Sequence, residues 1–153
     1  RVRISSPAPL IDANRSNESH HIEYAMSIGV WKPAKDQVLD ESSVHSLLGA
    51  LPNDPLETIA ELAASDFLAY RFMVTEDHAA WSVAERLTSA QIEQLVRFFT
   101  MAEQSWSGWE AGKRSAVIPL VSRLKAQSAF DPALRRWIKK NTDNRYLPNG
   151  AAL

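Results

Sequence analysis

Nine of the chain's 17 Lys and Arg residues fall in its last 43 positions, and four of them sit at spacings that gather charge onto one helical face. At 100° per residue, Arg135, Arg136, Lys139 and Lys140 span about 140° of arc, opposite Leu134, Trp137 and Ile138. A cationic face with an apolar back can neutralise carboxylates or phosphates while its other side stays in a core. Lys113, Arg114, Arg123, Lys125 and Arg145 extend this basic end. Residues 1–110 carry 8 Lys/Arg against 16 Asp/Glu, and residues 111–153 carry 9 against 2, so formal charges of −8 and +7 lie hidden in a total of −1. The partner expected from this polarity is an acidic protein or a nucleic acid. The plainer alternative is a solvated face that balances the acidic remainder of the chain. A pI near 6.5 weighs against nonspecific nucleic-acid binding, for which values above about 9 are usual.

Trp106 and Trp109 stand three apart beside Ser107-Gly108. They are expected either to anchor a partner next to the basic face or to plug the edge of the core. Together with Arg135, Arg136, Lys139, Lys140, Lys113 and Arg114 they make up the expected binding set. No catalytic residue, metal site or cofactor is assigned. Glu18 and His21 have a Glu-x-x-His spacing, but a di-metal bundle needs two such pairs and further carboxylates. The stretch Gly108-Trp109-Glu110-Ala111-Gly112-Lys113-Arg114-Ser115 departs from a phosphate-binding loop. Three residues separate its glycines, Arg intervenes between Lys and Ser, and a helix precedes it. His45 beside Glu41, and His78 beside Glu76 and Asp77, support a second reading: a small enzyme or ligand-binding bundle with a His/carboxylate pocket between helices.

The elements that position these residues follow from periodicity. Ile22, Tyr24, Met26, Ile28 and Val30 alternate strictly and predict a strand, paired with Val2 and Ile4 as a hairpin or arm over residues 1–39. Its exposed edge is a candidate for homo-oligomer formation. From residue 40 to 153 the spacing turns helical. Val44, Leu47, Leu48 and Leu51 mark a first helix. Asp54-Pro55 has the chemistry of a second helix start, with Leu56, Ile59, Ala60, Ala63, Phe67 and Tyr70 on its buried face. Thr75 is the cap expected for a third. Thr88 with Gln91 forms a capping box for a fourth, stapled by Leu87 and Ile92. Ser115 and Asp131-Pro132 open the fifth and sixth. The fold class is therefore mainly α, a compact bundle of about six helices with an N-terminal extended arm.

At 153 residues, 45% hydrophobic and 23% charged, the chain has the composition of a globular domain with one core. Having no Cys, it lacks disulfides, thiolate metal sites and cysteine nucleophiles. No apolar run reaches the roughly 18 residues of a membrane span, and residues 1–7 lack the apolar centre of a secretory signal. A cytoplasmic protein that does not engage membranes is expected. The preferred reading is a non-enzymatic accessory or regulatory subunit that presents its basic C-terminal helix.

Overall fold

The computed structural model describes residues 37–150. Among them are four α-helices, α1 (Glu41–Ala50), α2 (Ser89–Ser105), α3 (Val117–Ala126) and α4 (Pro132–Asn141), and three 3₁₀ segments, Ala64–Thr75, His78–Arg86 and Gly112–Arg114. No strand occurs among the described residues. The protein is mainly helical, as the periodicity predicts. The expected Ile22–Val30 strand, its hairpin and any assembly through that arm lie outside the described residues.

Three of the four α-helices begin where local chemistry dictates. Asp40 accepts from the Ser43 amide at 2.8 Å, and the Ser43 hydroxyl accepts from the Asp40 amide at 3.0 Å. Thr88 and Gln91 repeat this reciprocal box at 3.1 and 2.9 Å, opening α2 at the residue expected. Asp131 accepts from the Ala133 amide at 2.7 Å, with Pro132 at the first helical position.

Helix α2 is the central element. Ile92, Leu95, Val96, Phe98, Phe99 and Ala102 are fully buried, and α1, α3, α4 and the Ala64–Thr75 segment all pack against it. Val117, Leu120, Val121 and Leu124 of α3 and Leu134 and Ile138 of α4 close the core. The lengths of α3 and α4 suit a helix-turn-helix, but both dock chiefly on α2 rather than on each other. No helix among the described residues is long and apolar enough to cross a membrane.

The expected second helix is corrected by the structure. Residues 54–63 form no helix, and 3₁₀ geometry begins only at Ala64. The backbone there is held by side chains of α2. Buried Gln94 accepts from the Leu56 amide at 2.9 Å and donates to the carbonyls of Pro52 and Asp54 at 2.8 and 3.0 Å. Arg97 donates to the Leu56 carbonyl at 3.3 Å. Groups that a helix would pair internally are thus satisfied across the fold. The expected third helix is also 3₁₀, over His78–Arg86. Its inward residues Trp81, Ala84 and Leu87 recur every third position, as do Phe67, Tyr70 and Met73 in the segment before it. At 3.0 residues per turn such positions eclipse, whereas on an α-helix they would drift by about 60° per step. That spacing accommodates 3₁₀ runs of 12 and 9 residues, lengths that are otherwise uncommon.

Candidate functional site

The α4 face is built from its back. Leu134 and Ile138 are buried, and Trp137, half-buried, is gripped on two sides. The Arg97 guanidinium lies 4.7 Å from the centre of the Trp137 ring, and the indole N–H donates to Glu57 Oε2 at 3.2 Å. Arg97 also pairs with Glu57 at 3.0 Å and Glu93 at 3.1 Å. With the apolar side so held, Arg135, Arg136, Lys139 and Lys140 all face solvent. Ion pairs among the described residues join Glu41 to His45 and Arg86, and Arg97 to Glu57 and Glu93; none involves this face. Lys139 and Lys140 also occupy the last turn, where the helix dipole favours cations.

The other members of the expected binding set separate. Trp106 is half-buried and lines an open groove of about 570 Å³ with Ile59, Leu62, Met101 and, at the end of α4, Lys140. Trp109 is only 1% exposed and meets Trp106 edge-on at 5.2 Å and Phe98 at 5.9 Å, so it serves as core. Three-residue spacing therefore yields one aromatic at the surface rather than a double platform. Lys113 and Arg114 stand exposed on the Gly112–Arg114 turn and do not line the groove. Arg114 donates to the Thr75 carbonyl at 2.7 Å, an intramolecular use of its charge. Glu57 and Asp143, the groove's carboxylates, are occupied: Glu57 by Arg97 and Trp137, Asp143 by the Gln104 amide at 2.9 Å.

Comparison with protein-family models, curated proteins and solved structures gives no match. Function is therefore argued from geometry.

Sequence reasoning missed Glu103. It lies on the buried side of α2, 7% exposed, and burial pushes its carboxyl from the usual 4.5 up to about 8, opposed by a hydrogen bond from Ser115. The Ser115 hydroxyl donates to Oε2 at 2.7 Å and accepts from the Val117 amide at 3.1 Å, tying the acid to the start of α3. Oε1 has no partner. The available signal was a carboxylate four residues after Phe99 and three before Trp106, on an otherwise apolar stripe. Near neutral pH this group is a protonated acid, able to donate a hydrogen bond at the wall of a cleft of about 410 Å³ shared with Glu110, Asn144, Arg145 and Tyr146.

The histidines also part company. His45 is half-exposed and lies 3.8 Å from Glu41, a surface pair one turn apart. His78 lines a cleft of about 510 Å³ between the His78–Arg86 segment and α3, together with Trp81, Glu85 and Arg123. Glu76 and Asp77, its sequence neighbours, do not line it.

Proposed function

We propose that this chain is a non-enzymatic interaction module that receives an acidic protein segment on α4. The observation that carries the reading is the set of four exposed cations, Arg135, Arg136, Lys139 and Lys140, none paired with a carboxylate among the described residues. Intramolecular balancing of the acidic part of the chain would call for such pairs. The second support is adjacency: Lys140 and Trp106 line one groove whose floor includes Ile59, Leu62 and Met101. Long-range attraction steers the partner to α4, and an apolar side chain entering the groove beside Trp106 supplies the desolvated contact that slows its departure. Residues 37–110 carry 3 Lys/Arg against 12 Asp/Glu. That negative remainder repels an extended polyphosphate more than a short acidic peptide, which favours protein over nucleic acid.

The test is fluorescence anisotropy with a labelled Asp/Glu-rich peptide containing one Leu or Phe, beside a single-stranded oligonucleotide of similar charge, each across a salt series. The peptide should bind, weaken as salt rises, and lose about tenfold or more in affinity to the R136E/K140E double variant. Trp106→Ala should weaken it while leaving most of the salt dependence intact. Preferential binding of the oligonucleotide would transfer the face to nucleic acid. Equal peptide affinity for the wild type and the double variant would remove α4 from function.

A further inference from the structure

The groove beside α4 is bordered by opposite charges. Three stretches line it: residues 57–62, the end of α2 from Met101 to Trp106, and the end of α4 from Lys140 to Asp143. The first belongs to an acidic tract, since residues 38–70 hold six Asp/Glu and no Lys or Arg. Glu61 is exposed and sits between the lining residues Ala60 and Leu62. Asp66 and Leu68, both exposed, flank Phe67, whose ring lies 5.7 Å from that of Trp106 in the groove wall. Glu57 is held by Arg97 and Trp137, whereas Glu61 and Asp66 make no ion pair among the described residues.

Leu68 is 54% exposed, and it shares with Val38 alone, among the described residues, the position of a large hydrophobic side chain standing out of the core. Two free carboxylates beside an exposed leucine have the chemistry that α4 and its groove select. The carboxylates suit Arg136 and Lys140, and the leucine suits the surface made by Trp106, Ile59 and Met101. Donor and receiver border the same opening rather than opposite ends of the molecule. A surface with an acidic edge, an apolar centre and a basic edge side by side is complementary to itself after a half-turn, which is what a closed two-fold contact requires. Neither edge is neutralised by the other within one chain.

We infer that the acidic partner of α4 is a second copy of this chain. A two-fold axis through the groove sets Glu61 and Asp66 of each molecule against Arg136 and Lys140 of the other, with Leu68 entering beside Trp106. The inference rests on the reading of α4 as a receiver of acidic segments, and it names the segment. An exposed ion pair is worth little singly, but the two-fold makes every charge contact and every leucine anchor twice. Self-association is therefore salt-sensitive, and a free acidic peptide competes with it.

The experiment is sedimentation equilibrium of the full chain from low micromolar to near-millimolar concentration, at low and high salt, on the wild type, R136E/K140E, E61K/D66K and Leu68→Ser. The wild type should approach the mass of two chains and dissociate as salt rises. Because a two-fold repeats each substitution, either charge reversal should raise the dimer Kd about a hundredfold, the square of the tenfold expected for one peptide contact. An equal mixture of the two reversal variants should dimerise again, since the reversed α4 of one meets the reversed tract of the other and the two unaltered edges meet as before. Leu68→Ser should weaken the dimer about tenfold or more and leave most of its salt dependence. Circular dichroism and the urea midpoint, taken at a dilution where the wild type is monomeric, check each fold, and recovery in the mixture separates lost contact from misfolding. A wild type that stays at the mass of one chain while binding the acidic peptide through α4 would overturn the self-partner and leave the α4 reading standing. A monomer that also fails to bind the peptide would remove both. A dimer indifferent to both reversals, a mass that climbs past two chains, or no recovery in the mixture would overturn the two-fold contact.

Discussion

At the scale of single residues, two buried polar side chains define this molecule more sharply than its surface charges do. Glu103 is protonated in the folded protein up to about pH 8 and has an ordinary value of 4.5 when unfolded. Between these values the folded state holds a proton that the unfolded state has released, so stability falls as pH rises through that window. Below about 4.5 the contribution is fully present, and above about 8 it is lost. The loss has a ceiling on the order of 5 kcal/mol. Glu103→Gln keeps an oxygen to accept from Ser115 and removes the titration. Urea denaturation at a series of pH values should therefore show a declining wild-type curve, a flatter variant curve and the greater variant advantage at the alkaline end. Parallel curves would mean that Glu103 is charged in the fold. Gln94 makes the second case. Replacing it with Leu should cost roughly 2–4 kcal/mol by the same assay, because one amide and two carbonyls around residues 52–56 lose their partner together. A cost below about 0.5 kcal/mol would show that the turn finds other partners.

At the scale of elements, legibility tracked locality. The Thr88–Gln91 box and the Asp131-Pro132 start were readable because each is completed within three residues. Thr88→Ala should accordingly cost about 1 kcal/mol, measured as a shift in the urea midpoint with an unchanged slope. A changed slope would signal that α2 has been reorganised rather than merely uncapped. Asp54-Pro55 has the same chemistry as Asp131-Pro132 and opens no helix, since Gln94 and Arg97 reach it from about 40 residues away in sequence. The three-residue spacing of Phe67, Tyr70 and Met73, and of Trp81, Ala84 and Leu87, was visible in the chain, but it also fits the i, i+3 half of an α-helical stripe. Packing against α2 and α3 selected the tighter helix.

At the scale of the whole molecule, the charge polarity of the chain becomes a surface. The acidic residues 37–110 and the basic end meet at Arg97, Glu57 and Trp137, yet the outward face of α4 takes no part in that junction. Reversing two of its charges should thus cost folding stability no more than about 1 kcal/mol, the helix-dipole penalty of a carboxylate in the last turn, seen as a small shift of the urea midpoint in R136E/K140E. Destabilisation beyond about 1 kcal/mol would reveal an intramolecular role for the face. The candidate sites were only partly legible for a related reason. A helical face is set by 3.6 periodicity, so Arg135, Arg136, Lys139 and Lys140 were grouped correctly without coordinates. The fates of Trp106 and Trp109 were not so set, because Trp106 ends α2 while Trp109 lies past a turn at Gly108, whose φ of 86° redirects the chain.

The sequence by itself determined the mainly helical class, the caps of α2 and α4, the apolar stripe of α2 and the cationic face of α4. Each depends on residues within about one or two helical turns of one another, where covalent geometry fixes distance. Only the tertiary structure decided that residues 54–63 stay non-helical, that Glu103 is a neutral acid, that Trp106 and Lys140 share a groove, and that His78, Trp81 and Arg123 line one cleft. These depend on which surfaces close over which side chains, and burial is a property of neighbours distant in sequence. Desolvation raises a carboxyl's pKa and makes an unpaired nitrogen costly only after packing has excluded water.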